Sequence, residues 1–274
     1  MTMQQSHYKS NYELKSLARV QTSQHMGILA GSLLLKLLIS FMSVNLITAL
    51  IPTRTTTGYI LNYLMTVLVQ IAVCVLSVGA AFIFLKTACN MPTAIGDLFC
   101  GFQQDLVKIL KIGTVIAIIN SICMIPLDIA SIQYSDMVNS VPLLELSRTN
   151  SILDNYELLE AYNIFYSATL KFYLIMLVCT VVSTILTLPF FPAFYMVLDF
   201  PNLSAGEILK KCFEVMNGNK IRLFMLYLSF VPSFLLSILT CGISLIWVIP
   251  YMSMAETNFY LDLMSVRNKS VAGQ

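Results

Sequence analysis

The sequence predicts an all-α protein: a polytopic transmembrane helix bundle of six spans, organised as three repeats of an interfacial amphipathic helix followed by a two-helix hairpin. Three observations lead there. The 274 residues are 57% hydrophobic and 11% charged, with a mean hydropathy of +0.78, whereas soluble domains carry about 25% charged residues. Six apolar stretches, each long enough to cross about 30 Å of hydrocarbon, recur along the chain. Lysine and arginine concentrate in alternate connections between those stretches.

The first apolar stretch runs from Gly27 to Ile51 and stops at Pro52. It follows a largely polar segment and is too long for the apolar core of a signal peptide, so it is expected to be the first span. The second covers Tyr59 to Leu85, and the third Gly113 to Ala130. The fourth runs from Ala168 to Leu198, where Pro189 and Pro192 are expected to kink it. The fifth spans Ile221 to Thr240 through Pro232; Cys241-Gly242 is expected to turn the chain into the sixth, Ile243 to Leu263, which contains Pro250. Proline is tolerated in lipid because neighbouring helices re-satisfy the backbone groups it frees. Residues 1–274 then form one integral membrane domain. Its parts are a cytoplasmic interfacial segment (1–26), spans one to three (27–130), an outer connection (131–166), spans four to six (167–264) and a cytoplasmic tail (265–274).

Charge placement sets the expected orientation. Lys9, Lys15, Arg19, Lys86, Lys108, Lys111, Lys210, Lys211, Lys220, Arg222, Arg267 and Lys269 all fall on one side of a six-span scheme. The other side holds Arg54, Arg148 and Lys171 beside Asp128, Asp136, Glu145, Asp154, Glu157 and Glu160. Both termini are therefore expected in the cytoplasm, and an odd number of spans would destroy the segregation.

Three segments on the basic side share a pattern. Ser10 with Glu13 precedes Leu14, Leu17 and Ala18; Ser204 with Glu207 precedes Ile208, Leu209, Cys212, Phe213 and Met216. Both are capping boxes, in which the hydroxyl bonds a free helix N–H and the carboxylate reaches back. Thr93, with Asp97 one position later than the strict pattern, precedes Leu98, Phe99, Phe102, Leu106 and Ile109. Apolar residues at i, i+3 and i+4 predict amphipathic helices lying in the headgroup plane, apolar face down. The outer connection interrupts the repeat, and Leu158, Leu159, Tyr162, Phe165 and Tyr166 predict that span four starts as an extended helix.

The residues offer little reactive chemistry. A formal charge of +2 gives no bulk field for nucleic acid. The only histidines are His7 and His25, and the chain lacks the zinc-hydrolase, serine-hydrolase and phosphate-loop motifs. The seven cysteines form no C-x-x-C pair, so they are expected to act as small apolar residues. No enzyme activity, cofactor or metal is expected; the expected partners are membrane lipids and other membrane proteins. Polar side chains at membrane depth remain as candidate binding residues: Lys36, Gln70, Asn120 and Glu256. Each has a structural reading as well. Lys36 can snorkel to the interface, Gln70 and Asn120, like Asn45, can hydrogen-bond between helices, and Glu256 can reach headgroup water. Trp247, Tyr251, Phe259 and Tyr260 are expected to serve as interfacial belt or packing rather than as an aromatic cage.

Met216-Asn217-Gly218-Asn219-Lys220, Leu223-Phe224, Leu228-Ser229-Phe230, Gly242-Ile243, Trp247-Val248-Ile249-Pro250-Tyr251 and Phe259-Tyr260 resemble the bacterial membrane family called domain of unknown function 975. Glu13-Leu14-Lys15-x-x-Ala18-Arg19 and Asp97-Leu98-Phe99-x-Gly101-Phe102 resemble its other two recurring blocks; Val231-Pro232-Ser233 departs from its pattern of a glycine and a tryptophan. The resemblance implies a multi-pass protein of the bacterial cytoplasmic membrane and supplies no activity. In the strongest block, Gly218 is expected to let a helix end and turn, with Lys220 and Arg222 anchoring span five at the headgroups. The expected function is a non-enzymatic scaffold, accessory or assembly factor. The alternative is a transporter or exporter of a small amphiphile or lipid, which predicts a polar mid-bilayer cavity lined by Gln70, Asn120 or Lys36.

Overall fold

The computed structural model describes residues 8–51, 55–140 and 156–272. Arg54, and Glu145, Arg148 and Asp154 of the outer connection, lie outside the described residues. The described chain is all-helical, with no strand. Its α-helices are α1 (Asn11–Leu50), α2 (Thr56–Ala88), α3 (Leu106–Ser140), α4 (Tyr156–Thr187), α5 (Ala193–Asp199), α6 (Ala205–Met216), α7 (Lys220–Leu228), α8 (Val231–Leu239) and α9 (Leu245–Ala272). Two 3-10 helices, Ile95–Gln103 and Leu188–Phe190, complete the order. Among the described residues five stretches are long and apolar enough to cross a membrane: Asn11–Leu50, Thr57–Ala88, Leu106–Val138, Tyr162–Asp199 and Lys220–Leu239. These match the first five expected spans; α9, which contains the expected sixth, is not among them.

Several boundaries differ from expectation for clear reasons. The interfacial segment and first span are one 40-residue helix, bent at His25 (φ −122°, ψ 21°), where polar sequence gives way to apolar. Pro189 and Pro192 break the fourth stretch instead of kinking it: α4 ends at Thr187, a 3-10 turn follows, and α5 starts after Pro192. Pro232 lies at the first turn of α8, where its missing N–H costs nothing, so the fifth stretch divides into α7 and α8. The middle amphipathic segment is a 3-10 helix.

The helices form two compact units, one from the residues up to Ala117 together with those from Leu188 onward, the other Ile118–Thr187. In the first, α1 and α9 pack antiparallel: Lys9 pairs with Asp262, Gln21 with Asn258, and Ala30–Ser40 with Gly242–Pro250. Leu14, Ala18, Leu29, Ile83, Phe84, Leu98, Ile109, Met196, Ile208, Leu226, Phe230 and Phe259 form a continuous buried core. The 3-10 helix Ile95–Gln103 presses on α2 so closely that a Cβ at Gly79 would stand 1.7 Å from the Leu98 carbonyl oxygen, and one at Gly101 would stand 2.2 Å from that of Val75. Only glycine allows these approaches. In the second unit, the second half of α3 pairs with α4: Tyr134 stacks on Phe172 at 4.9 Å, its hydroxyl lies 3.3 Å from Thr169 Oγ1, and Ser183 donates to Asn120 Oδ1 at 2.6 Å.

The apolar stripes of the amphipathic segments are largely consumed by protein. Leu14 and Ala18 of α1, Leu98 of the 3-10 helix, and Ile208, Cys212 and Met216 of α6 are fully buried. Leu17, Val20, Phe99, Phe102 and Phe213 stay exposed on the same segments. Each stripe is therefore divided between the hydrophobic core and the protein surface, so the expected apolar faces are not left wholly unpartnered by protein.

Candidate functional site

The polar chemistry of the first unit gathers where α1, α6, α7 and α9 meet. Ser10 and Ser204 cap α1 and α6 in complete capping boxes: Glu13 accepts from Ser10 N–H at 2.7 Å, and Glu207 from Ser204 N–H at 2.8 Å. The Ser204 N–H holds the exposed Glu207 carboxyl below its ordinary value. In the 3-10 helix the N-cap is Ala94, so the hydroxyl half of the motif is missing, but Asp97 still accepts from the Ala94 N–H at 3.0 Å. Burial acts to raise the Asp97 carboxyl; the Lys86 ammonium at 2.7 Å and that N–H outweigh it, and the group lies below the usual carboxylate range.

Gly218 ends α6 with a left-handed φ of +78°, as the Asn-Gly-Asn run requires. Arg222, expected as a headgroup anchor, is engaged by protein groups. It turns inward, donating to Asp262 Oδ2 at 2.9 Å, to the Lys9 carbonyl at 3.0 Å and to Asn219 Oδ1 at 3.2 Å, with its guanidinium over the Tyr8 ring. Asp262 is buried and also accepts from the Lys9 N–H. A buried carboxylate demands such partners, and this one ties the N-terminal segment, the Asn-Gly-Asn turn and α9 into one latch. Lys15 donates to the Ser229 carbonyl at 3.0 Å, and Lys108 to that of Pro201. Tyr260 donates to Asp199, and its ring stacks on Tyr195 at 4.8 Å.

The four candidate residues do not converge on one site. Lys36 and Glu256 fall in the first unit. Lys36 is half-buried in α1 and, with Leu33, Leu37, Ser40, Ile246 and Ile249, lines an otherwise apolar cavity of about 440 Å³. Among the described residues no carboxylate lies within 4 Å of its ammonium; Cys74 and Glu256 are the groups close enough to act on it electrostatically. Glu256 is partly buried on α9, near enough to Tyr227 for the two to act on each other electrostatically. Gln70 and Asn45 are exposed on their helices, Asn45 bonding back to the Phe41 carbonyl. Asn120 makes the inter-helix bond to Ser183 described above. Of the three residues expected to line a polar cavity, Lys36 lines a mostly apolar one, Gln70 is exposed and Asn120 is engaged by Ser183.

Phe259 and Tyr260 are buried packing residues, Tyr251 packs edge-on against Phe230 at 5.1 Å, and Trp247 is exposed. Burial pushes the Cys212 thiol up to about 12, which keeps it neutral and inert beside Met196. Among the described residues no three His, Cys, Asp or Glu side chains stand close enough to hold a metal ion. Asp262 and Tyr227 were missed by reading the sequence. Asp262 carried a signal, as a carboxylate on the apolar face of the helix holding Phe259 and Leu263; Tyr227 carried none.

No curated protein and no solved structure matches the chain. One family model does, over residues 1–267, nearly the full length, and its description is "Protein of unknown function (DUF975)". The charged and aromatic residues of the latch fall within that match, and the chain belongs to this family.

Proposed function

We propose that the protein is a non-enzymatic scaffold, accessory or assembly factor of the bacterial cytoplasmic membrane, with both termini cytoplasmic. Its three units of amphipathic segment plus hairpin supply six apolar stretches to the membrane, of which the two of the third hairpin enter without reaching as deep as α1. The observation that carries this reading is how the first unit uses its charges. Arg222, Asp262, Lys86, Asp97, Lys15 and Lys108 join one segment to another, and Phe99 and Phe102 stay exposed on the 3-10 helix. That is the construction of a rigid docking platform. Five sufficiently apolar helices and the one-sided placement of lysine and arginine support the topology. The third hairpin is shallower than the first, since its turn at Gly242 lies beside Leu33–Ser40, ten residues before the end of α1, or about 15 Å by helix rise. Both its ends return to the same face, so the sidedness of the termini does not depend on its depth. The test is crosslinking in intact membranes followed by purification in mild detergent. A membrane protein recovered in stoichiometric amount, and lost with Phe99→Ser and Phe102→Ser, supports the reading; recovery of none above background refutes it.

The Lys36 cavity favours a second reading, transport or export of an anionic amphiphile. It predicts uptake or efflux of such a molecule in vesicles containing the protein, abolished by Lys36→Met; equal flux through the Lys36→Met protein would refute it.

A further inference from the structure

Beside the bend at His25 a second cavity, of about 530 Å³, opens between α1 and α9. Arg19, Thr22, Ser23 and Met26 line it from one face of α1, and Trp247 and Tyr251 from α9. Arg19 is the charged side chain of the lining, near enough to act electrostatically on Tyr251. Thr22 is 5% exposed and its hydroxyl has no hydrogen-bond partner. The neighbouring helical serines Ser16, Ser23 and Ser32 each bond back to the carbonyl three residues earlier. A helical threonine has two accessible χ1 wells, so one rotamer step re-aims that hydroxyl.

The level of the cavity matters as much as its lining. It lies where α1 passes from the polar run ending at His25 to the apolar run starting at Gly27, the depth of lipid headgroups in the proposed topology. On the same face of α1, starting one turn deeper, the cavity lined by Leu33 and Leu37 continues in apolar character. An arginine fork with the uncommitted Thr22 hydroxyl beside it matches a phosphate oxygen pair, while Trp247 and Met26 present the amphipathic and apolar walls that a free anion would not use.

We propose that this cavity binds one anionic phospholipid of the cytoplasmic leaflet. Its phosphodiester meets Arg19 and Thr22, its glycerol lies against Trp247, and an acyl chain runs past Leu33 and Leu37. The site rests on the membrane reading and is independent of whether the protein scaffolds or transports.

Trp247 is the chain's single tryptophan and so reports the site directly. The full chain is placed in nanodiscs of phosphatidylcholine containing increasing fractions of phosphatidylglycerol brominated in its acyl chains. Quenching of Trp247 should saturate at low mole fraction and be reversed by unbrominated phosphatidylglycerol. Arg19→Gln should weaken it by about tenfold, a charge-assisted bidentate contact being lost, with Arg19→Lys intermediate. The isosteric Thr22→Val should weaken it by several-fold while thermal stability is unchanged. A hydroxyl serving no ligand would instead leave quenching unaltered. Quenching that only tracks bulk bromine, that is equal with brominated phosphatidylcholine, or that survives Arg19→Gln overturns the proposal, as does displacement by millimolar inorganic phosphate. Failure of the chain to enter nanodiscs would overturn the membrane reading itself, an outcome distinct from insertion without selective quenching.

Discussion

Replacing Gly79 with alanine puts a methyl carbon 1.7 Å from the Leu98 carbonyl oxygen, against backbone rather than a flexible side chain. A carbon and a carbonyl oxygen come no closer than about 3.3 Å in comfortable contact, so α2 and the 3-10 helix must separate by roughly 1.5 Å. Leu98 and Ile83, both fully buried at this seam, would lose packing as they part. Overpacking of this kind costs about 1–3 kcal/mol, with the rigid obstacle here pointing to the upper end. Alanine's better helix propensity returns up to about 1 kcal/mol, leaving a net loss of about 2 kcal/mol. For a chain of this length that corresponds to a melting point lower by about 4–8 °C. The assay is thermal unfolding in detergent, followed by a thiol-reactive dye that reads exposure of the buried Cys179 and Cys212. Gly101→Ala, facing the Val75 carbonyl at 2.2 Å, should behave alike, whereas Gly206→Ala, with nothing within 4 Å in the first turn of α6, should be neutral or raise the melting point. A Gly79→Ala protein as stable as the wild type would refute the close-approach reasoning.

Arg222→Met strands the buried Asp262 carboxylate and should destabilise the chain by about 3–5 kcal/mol, whereas Arg222→Met with Asp262→Leu should recover much of the loss; a double variant no better than the single, in the same melting assay, would show that the charge pair is not the cause. Because the Asp97 carboxyl is held below its unfolded value, its contribution is present at neutral pH, begins to fade as pH falls past the unfolded carboxylate value of about 4, and is lost as pH drops through the folded value. With a half-exposed partner it is worth at most about 1 kcal/mol, so melting curves of wild type and Asp97→Asn should converge toward acid pH. Cys241, exposed at the turn of the third hairpin, should react with a membrane-impermeant maleimide added outside more slowly than a cysteine introduced at Thr55; equal rates would show that the hairpin crosses as fully as α1.

Features set by neighbours in sequence were legible before the structure. Ser10 with Glu13 and Ser204 with Glu207 form the boxes their spacing demands, Gly218 takes the positive φ its turn needs, and the first five apolar stretches correspond to helices long enough to cross. Features set by distant residues were not. Asp262 lies 40 residues from Arg222 and 253 from Lys9, so nothing local shows that Arg222 turns inward. The Gly79–Leu98 contact joins two segments whose approach depends on the whole core. Of the candidate site residues, polarity at membrane depth singled out Lys36, which lines a mostly apolar cavity, and Asn120, which pairs with Ser183 as a helix-pairing group would, but exposure of Gln70 follows from which face of α2 the core selects. The cavity beside His25 arises from a bend and an antiparallel partner 220 residues away, and neither has a signature in the local pattern.

If hydrocarbon solvates most of these helices and both termini lie on one face, each connection has a fixed side that labelling can read. In a background with all seven cysteines replaced, a cysteine is introduced at Thr55, between the first two apolar helices, or at Gln274, and intact cells are treated with an impermeant maleimide. The Thr55→Cys protein should be labelled from outside, and the Gln274→Cys protein only after the cells are opened. Labelling of both from the same side, or recovery of the unlabelled chain in the aqueous fraction without detergent, would contradict this arrangement.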